Sequence, residues 1–372
     1  MSEQICVSII IPFYNAEKHI ENCFSTLLAQ DFKKSFEIIM VNDFSTDGSV
    51  DKIKQHNMPS FRLFSLPSNK GPSAARNEGI KNARGKYIFL LDADDQIESN
   101  TLTILYDIAD QDDCDLVFSD FKRIENLQNQ RDNVFNYLEN QLFEKKEILE
   151  AMRKEIYEHN PSFGHLGLFG CNGRLIKSSI LRDNKIFFQE NLRFLEDKAF
   201  GWDVLACTQK VRYVRKQLYS YYVHPNISSA VIEGVNLGFP MSNFQLVKNC
   251  IENSLKKAGL VESKIKKFGD QALIFFIISL LVSYSRGITL EKVNYKKGIE
   301  CRRKIIKEII ADSVVSKAIK NYSPSKNESF LIPKAIAWRS LFLVEFACTR
   351  RGNQTVRMRR KHEIYNKNGG RD

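Results

Sequence analysis

The sequence predicts an α/β protein built on a mostly parallel sheet flanked by helices, and three observations carry that prediction. Over the first hundred residues, short β-branched runs alternate with segments of helical spacing, as βαβ units require. One of those runs, Tyr87–Leu91, is apolar throughout, as a strand covered on both faces must be. It ends abruptly in Asp92, Asp94 and Asp95, at the carboxyl end where open α/β sheets bind ligands.

In chain order, Cys6–Ile11 is the first strand, closed by Pro12. Glu17–Gln30 then places Ile20, Cys23, Phe24, Leu27 and Leu28 on one helical face. Phe36–Val41 is a second strand, followed by a turn-rich stretch in which Asp47 suits the N-cap of a short helix through Lys54. Phe61–Leu66 is a third strand, and Ser73–Ala83 a helix stopped at Arg84-Gly85 before the strand Tyr87–Leu91. Right-handed crossovers would put the ends of these strands on one edge. From 101 to about 230 the pattern loosens. Leu116–Ser119, Val211–Val214 and Leu218–Val223 read as short strands, Asn126–Glu150 as polar and partly helical, and Arg182–Trp202 as a loop leading into a helix. Beyond 240 the spacing is helical over Phe244–Ala258, Ile265–Tyr284, Tyr295–Ile310 and Lys334–Cys348, with a hinge at Ser323-Pro324-Ser325.

A chain of 372 residues with 43% apolar and 27% charged residues can bury a full core, which sets aside the disordered classes. Its longest apolar run, Ala272–Val282, broken at Ser279, is shorter than the roughly 20 residues of a bilayer span. The Met-Ser-Glu-Gln start has no basic and apolar leader, so a cytoplasmic protein without a signal peptide is expected. Eight cysteines scattered without a Cys-x-x-Cys pair argue against a zinc site or a disulfide framework. Charge is lopsided: residues 241–372 hold 27 Lys and Arg against 11 Asp and Glu, whereas residues 1–240 hold 28 against 33. Such asymmetry marks a surface that meets polyanions.

Four segments carry the chemistry: Val7–Asn15, Ile38–Gly48, Asn69–Asn77 running on to Gly79, and Gly85–Asp95. Asp43 lies just past a strand end, placed to hydrogen-bond a nucleobase or ribose. Arg76, in the first turn of a helix, is placed to meet a phosphate or to hold the acidic loop. Asp92 and Asp94 offer the hard oxygen atoms that suit Mg²⁺ or Mn²⁺ and, through the ion, phosphate. Taken singly, Tyr14 reads equally as a surface aromatic and Asp43 as a turn former.

Together, in order, spacing and flanking residues over about residues 5–100, these segments resemble the family 2 glycosyltransferases, inverting enzymes of the GT-A fold. The resemblance implies a GT-A domain with a nucleotide-sugar half (1–105) and an acceptor half (106–235), followed by a basic helical region (236–372). It implies that Pro12, Tyr14 and Asp43 line a uridine pocket, that Arg76 supports it, and that Asp92-Ala93-Asp94 is the metal motif with Asp94 as direct ligand. Cys171–Lys177 is similar to a fragment of capsule and lipooligosaccharide transferases. The segment after it, Asn191–Phe200, resembles the family's Glu-Asp motif, which makes Asp197 the base and Glu196 an acceptor-orienting group. The alternative for these two is a helix N-terminus at which acids are favoured by the macrodipole. Tyr219–Ser229 resembles the end of the catalytic domain, where His224 would reach the metal or the diphosphate; otherwise it is a surface histidine.

The expected activity is therefore Mn²⁺- or Mg²⁺-dependent transfer of a hexose or N-acetylhexosamine, from a nucleotide sugar such as a UDP-sugar, to a bacterial capsule, O-antigen or lipooligosaccharide glycan. A sugar nucleotidyltransferase is the rival enzyme, though Pro12–Asn15 stands where its phosphate loop would be. A non-catalytic sugar-nucleotide-binding scaffold is the rival outside enzymes. Residues 331–372 hold ten Lys and Arg against three acids, together with Ile336, Leu341, Phe342, Leu343, Val344 and Phe346. That combination suits a helix on the anionic inner face of the plasma membrane, near a lipid-linked acceptor, each basic residue adding about 1 kcal/mol. A helix packed against protein is the other reading, and no nucleic-acid recognition motif accompanies the charge.

Overall fold

β1 (Val7–Phe13) is buried along its whole length, and its polar residue, Ser8, donates to buried Glu37 at 2.7 Å. A computed structural model places it in the sheet and describes residues 4–56, 61–126, 129–133, 141–157, 170–192, 194–222, 241–289, 295–325 and 328–367. β1 pairs in parallel with β2 (Phe36–Asn42) on one side and β4 (Tyr87–Leu90) on the other, and β2 pairs in parallel with β3 (Phe61–Ser65). The connecting helices are α1 (Ile20–Leu28), α2 (Ser49–Gln55) and α3 (Pro72–Asn82). α1 buries Ile20, Cys23, Phe24 and Leu27, but Leu28, expected on the same face, is exposed at the helix end. Gly48 takes the cap position of α2, and Asp47 supports it from one residue further out by accepting the Ser49 N–H at 3.1 Å. Gly79 lets α3 lie against β1: a Cβ there would stand 2.2 Å from Ile10 Cγ2.

The sheet continues in the order β3-β2-β1-β4-β9-β6-β10-β5, ten strands with β7 and β8 at the side. Here β5 is Gln96–Ile97, β6 Leu116–Asn126, β7 Asn129–Asn133, β8 Leu142–Glu144, β9 Arg174–Lys177 and β10 Lys210–Tyr222. β9 runs antiparallel to both neighbours, while β6 and β10 are parallel to each other. The two short strands expected over 211–223 are one strand, β10, whose register shifts between Val214 and Gln217 and again before Tyr219. That irregularity is what made it look like two. α4 (Thr101–Gln111), α5 (Lys145–Tyr157), α6 (Ser178–Asp183) and α7 (Glu196–Cys207) are the further helices among the described residues up to 222.

The chain divides into two compact units. The first comprises residues 1–152, 160–191 and 195–225, and holds the sheet; the second comprises 153–159, 192–194 and 226–372. In the second, Glu262–Thr289 is long and apolar enough to cross a membrane, but 72% of its most apolar window is buried in the protein, Leu273, Ile274, Ile277 and Leu281 among it. Met241–Lys257 and Tyr295–Ala311 are helices close to their expected bounds. The helix expected over Lys334–Cys348 is two, Leu331–Ala337 and Leu341–Lys367, separated where Arg339 adopts φ +52°. A non-glycine residue in that region interrupts the helical ladder.

Candidate active site

The carboxyl ends of β1, β2 and β4 lie side by side, with Phe13 opposite Asn42 and Ile10 opposite Leu90. Pro12 is buried opposite Val41, beyond the last β1–β4 pair, where its missing N–H costs the sheet least. Tyr14 follows it, 51% exposed at the sheet edge. The loops after β1 and β2 are tied together: Ser45 Oγ accepts the Asn15 N–H at 3.0 Å, and Asn15 Oδ1 accepts the Thr46 N–H at 2.8 Å. Asp43 is buried, and its carboxylate accepts the N–H groups of Lys70 (2.7 Å) and Gly71 (2.8 Å). It thereby orders the loop that enters α3.

Arg76 projects from α3 to the acidic turn after β4, where its Nη2 donates to Asp92 Oδ1 at 2.8 Å. Burial opposes its charge, but neighbouring Asp92 outweighs that and holds the guanidinium pKa up. Among the described residues its buried Nε and Nη1 have no hydrogen-bond partner, two donor atoms in reserve beside the acidic turn. Asn172 Nδ2 holds the other Asp92 oxygen. Asp95 is buried more deeply, accepting the Tyr219 hydroxyl at 2.5 Å and the Tyr222 N–H at 2.8 Å. Burial, then the charges of Asp92 and Asp94, push the Asp95 pKa well up. One oxygen each from Asp92, Asp94 and Asp95 lie within 4.8 Å of one another. That spacing fits ligation to a single hard divalent cation, whose oxygen ligands stand about 2.0–2.6 Å away. A cation would also offset the mutual repulsion of the three acids.

α7 brings the second acidic group. Glu196 and Asp197 open this helix directly after Leu195, at φ +65°. Phe188 links the helix to α3: its ring stacks on Phe200, with centroids 4.0 Å apart, and the Arg76 guanidinium lies 5.2 Å from the Phe188 centroid. Burial, then Asp197, raise the Glu196 pKa; Arg76 lowers it and Asp92 adds to the rise. The Cys171 thiol is pushed up to about 12 by burial; Arg76 opposes this, while Asp197, Asp92 and Glu196 add to it. Cys171 thus stands within the electrostatic reach of both acidic groups, and the turn after β4 and the start of α7 converge on it. Asp197 Oδ1 accepts the N–H of Lys198 at 2.7 Å. His224 lies outside the described residues.

The family model for glycosyl transferase family 2 matches residues 8–219, more than half of the chain. The chain belongs to that family. Among its relatives, the glycosyltransferase EpsJ of Bacillus subtilis is 26% identical over 353 residues, covering 93% of this chain and 96% of that protein. The poly(ribitol-phosphate) beta-N-acetylglucosaminyltransferase TarS of Staphylococcus aureus is 26% identical over 217 residues, 58% of this chain and 35% of that protein. The crystal structure of TarS residues 1–349 in complex with UDP-GlcNAc superposes with a TM-score of 0.65 at 20% sequence identity, covering 94% of this chain and 92% of that one. The likeness establishes the GT-A fold, with a helical region after it.

Three features of this glycosyltransferase's site escaped sequence reasoning. Asn172 was visible as part of the Cys171–Lys177 fragment, but no spacing rule links it to Asp92, 80 residues earlier. Asp95 was visible as the third acid of its turn, whereas its bond to Tyr219 spans 124 residues. Gly173, at φ +68°, permits that approach, since a Cβ there would stand 2.9 Å from the Tyr219 ring.

Proposed function

We propose that this enzyme carries out metal-dependent, inverting transfer of a hexose or N-acetylhexosamine from a UDP-sugar to a hydroxyl of a growing bacterial surface glycan of the capsule, O-antigen or lipooligosaccharide type. The observation that carries the proposal is the link between two acidic groups: Arg76 bonds Asp92 and lies over Phe188, whose ring stacks on Phe200 of the helix that Glu196 and Asp197 open. Two relatives are named for transfer to poly(ribitol phosphate), and TarS was crystallised with UDP-GlcNAc, which supports a UDP-sugar donor and a polymer acceptor.

Asp197 takes the proton of the acceptor hydroxyl as its oxygen attacks the anomeric carbon. The bond from that carbon to the diphosphate oxygen breaks on the opposite face, and UDP leaves with the electron pair. Glu196, beside Asp197 at the start of α7, orients the acceptor. Exposed Tyr14 offers the nucleobase an aromatic face, with Pro12 behind it. Asp43 holds the 69–71 loop against the nucleotide and keeps lone pairs for it. The reserve donors of Arg76 suit a phosphate oxygen. Asp94 and Asp92 would hold Mn²⁺ or Mg²⁺, with His224 a further ligand by family resemblance; such an ion neutralises charge on the departing diphosphate. We place the enzyme in the cytoplasm, peripheral on the inner face of the plasma membrane, where lipid-linked saccharides are accessible.

The test is UDP release by the purified protein across a panel of UDP-sugars with Mn²⁺ and candidate acceptors. Acceptor-dependent release that is lost in Asp197→Ala, with donor binding kept, is expected. Donor binding without turnover for any acceptor would favour a scaffold and overturn the proposal.

A further inference from the structure

We infer that the corner between the helices Leu331–Ala337 and Leu341–Lys367 is a bilayer-docking surface, in which Trp338, Phe342 and Phe346 enter the interface of an anionic membrane. This deepens, and rests on, the proposed peripheral placement of the enzyme. The apolar residues of this region divide into two sets. Ile332, Ile336, Val344, Ala347 and Cys348 are buried in the helical unit. Trp338 (64%), Phe342 (74%) and Phe346 (51%) are left in solvent, as is Phe330 (67%) just before the first helix. Phe342, Phe346 and exposed Arg350 recur every four residues, so they form one stripe on the second helix. Trp338 precedes the stripe by the same interval, at the break between the helices.

Large aromatics grouped in solvent mark an interaction surface. The charge around them selects the partner. Exposed Lys334, Arg339 and Arg350 flank the aromatics, and the Lys334 ammonium lies 5.6 Å from the Phe330 ring centroid. A cleft of about 380 Å³ opens beside the corner, lined by Lys317, Lys320 and Arg339 over apolar Ile310 and Ile336. Residues 331–372 carry ten Lys and Arg against three acids. Aromatic side chains interleaved with cations suit the headgroup level of an anionic leaflet, where rings reach the acyl boundary and ammonium and guanidinium groups meet phosphate. Tryptophan is suited to that depth, having an apolar body and one N–H donor.

The molecule carries its own reporter, for it has two tryptophans and Trp202 is fully buried. Full-length protein is titrated with vesicles of phosphatidylglycerol in phosphatidylcholine, and separately with phosphatidylcholine alone. Anionic vesicles should shift the tryptophan emission to the blue, and brominated acyl chains should quench it. Trp338→Ser should remove the shift, and the triple variant Trp338→Ser, Phe342→Ser, Phe346→Ser should weaken vesicle binding at least about tenfold. All three positions are exposed, so the variants should melt like the parent and release UDP in solution at the parental rate. Asp197→Ala should bind vesicles normally, which separates failure of the lipid surface from failure of the catalytic reading. Undiminished vesicle binding by the triple variant overturns the inference. So does an emission shift that develops with protein concentration in the absence of lipid, which would assign the corner to a second copy of the chain.

Discussion

Around Cys171, the acidic turn after β4 is braced from three sides, by Arg76, Asn172 and Tyr219, whereas the acid pair opening α7 has Asp197 set on the N–H of its own neighbour Lys198. Hydrogen bonds spanning 16, 80 and 124 residues hold Asp92 and Asp95 of the first group and fix those two carboxylates. Among the described residues, a local bond from the Lys198 N–H holds Asp197 of the second. Fixed oxygens are what a cation site needs, since ligand distances are narrow. A proton acceptor needs instead a carboxylate that can turn toward an incoming hydroxyl. The difference in bracing therefore matches the difference in proposed role.

If that division is right, substitutions on the two sides fail differently. Asp94→Ala should lower metal-dependent turnover by at least about 10³-fold, because the departing diphosphate loses its counter-charge. Near-normal initial rates in that variant would remove the acidic turn from the chemistry. Asp197→Ala should lower kcat by about 10²–10⁴-fold while leaving UDP-sugar binding intact, as calorimetry would report. A matching loss of donor affinity would instead put Asp197 with the nucleotide. Asn172→Ala removes the amide that holds Asp92, and should weaken Mn²⁺ activation by about 10–100-fold without abolishing it. A rate curve against Mn²⁺ that does not move would make the Asn172 brace irrelevant to the cation.

The smallest effect expected is on stability, from Glu196→Gln. A carboxyl whose folded pKa is raised adds stability when protonated; that stability is full below the ordinary Glu pKa of about 4.3 and is lost as pH rises through the raised value. The variant should therefore melt higher than the parent at pH 8, and the gap should close in acid. Parallel melting curves at every pH would mean that Glu196 is not held in the low-dielectric setting described for it.

Much of the first unit is legible in local pattern. The runs that became β1 and β2 are mostly apolar, β4 is wholly so, and Ile20, Cys23, Phe24 and Leu27 repeat at helical spacing. The positions of Asp43, Arg76 and Asp92 relative to strand and helix ends follow from the same pattern, since neighbouring residues share an element and so share its direction. These features depend on interactions within a few residues or on burial of one face, and burial leaves a periodic trace in composition.

Long-range pairing leaves no such trace. β9 is four residues long, yet its insertion between β4 and β6, antiparallel to both, carries Asn172 to Asp92. β10 looked like two strands because a register shift interrupts alternation without interrupting the strand. At the far end of the chain, Val344 and Phe346 read alike as apolar, but one is buried and the other is half in solvent. Which face of a helix is covered depends on what packs there, and the packing partners come from distant parts of the chain. Composition supplied the acids, the aromatics and the cations; their distances and exposure arose when remote segments were brought into contact.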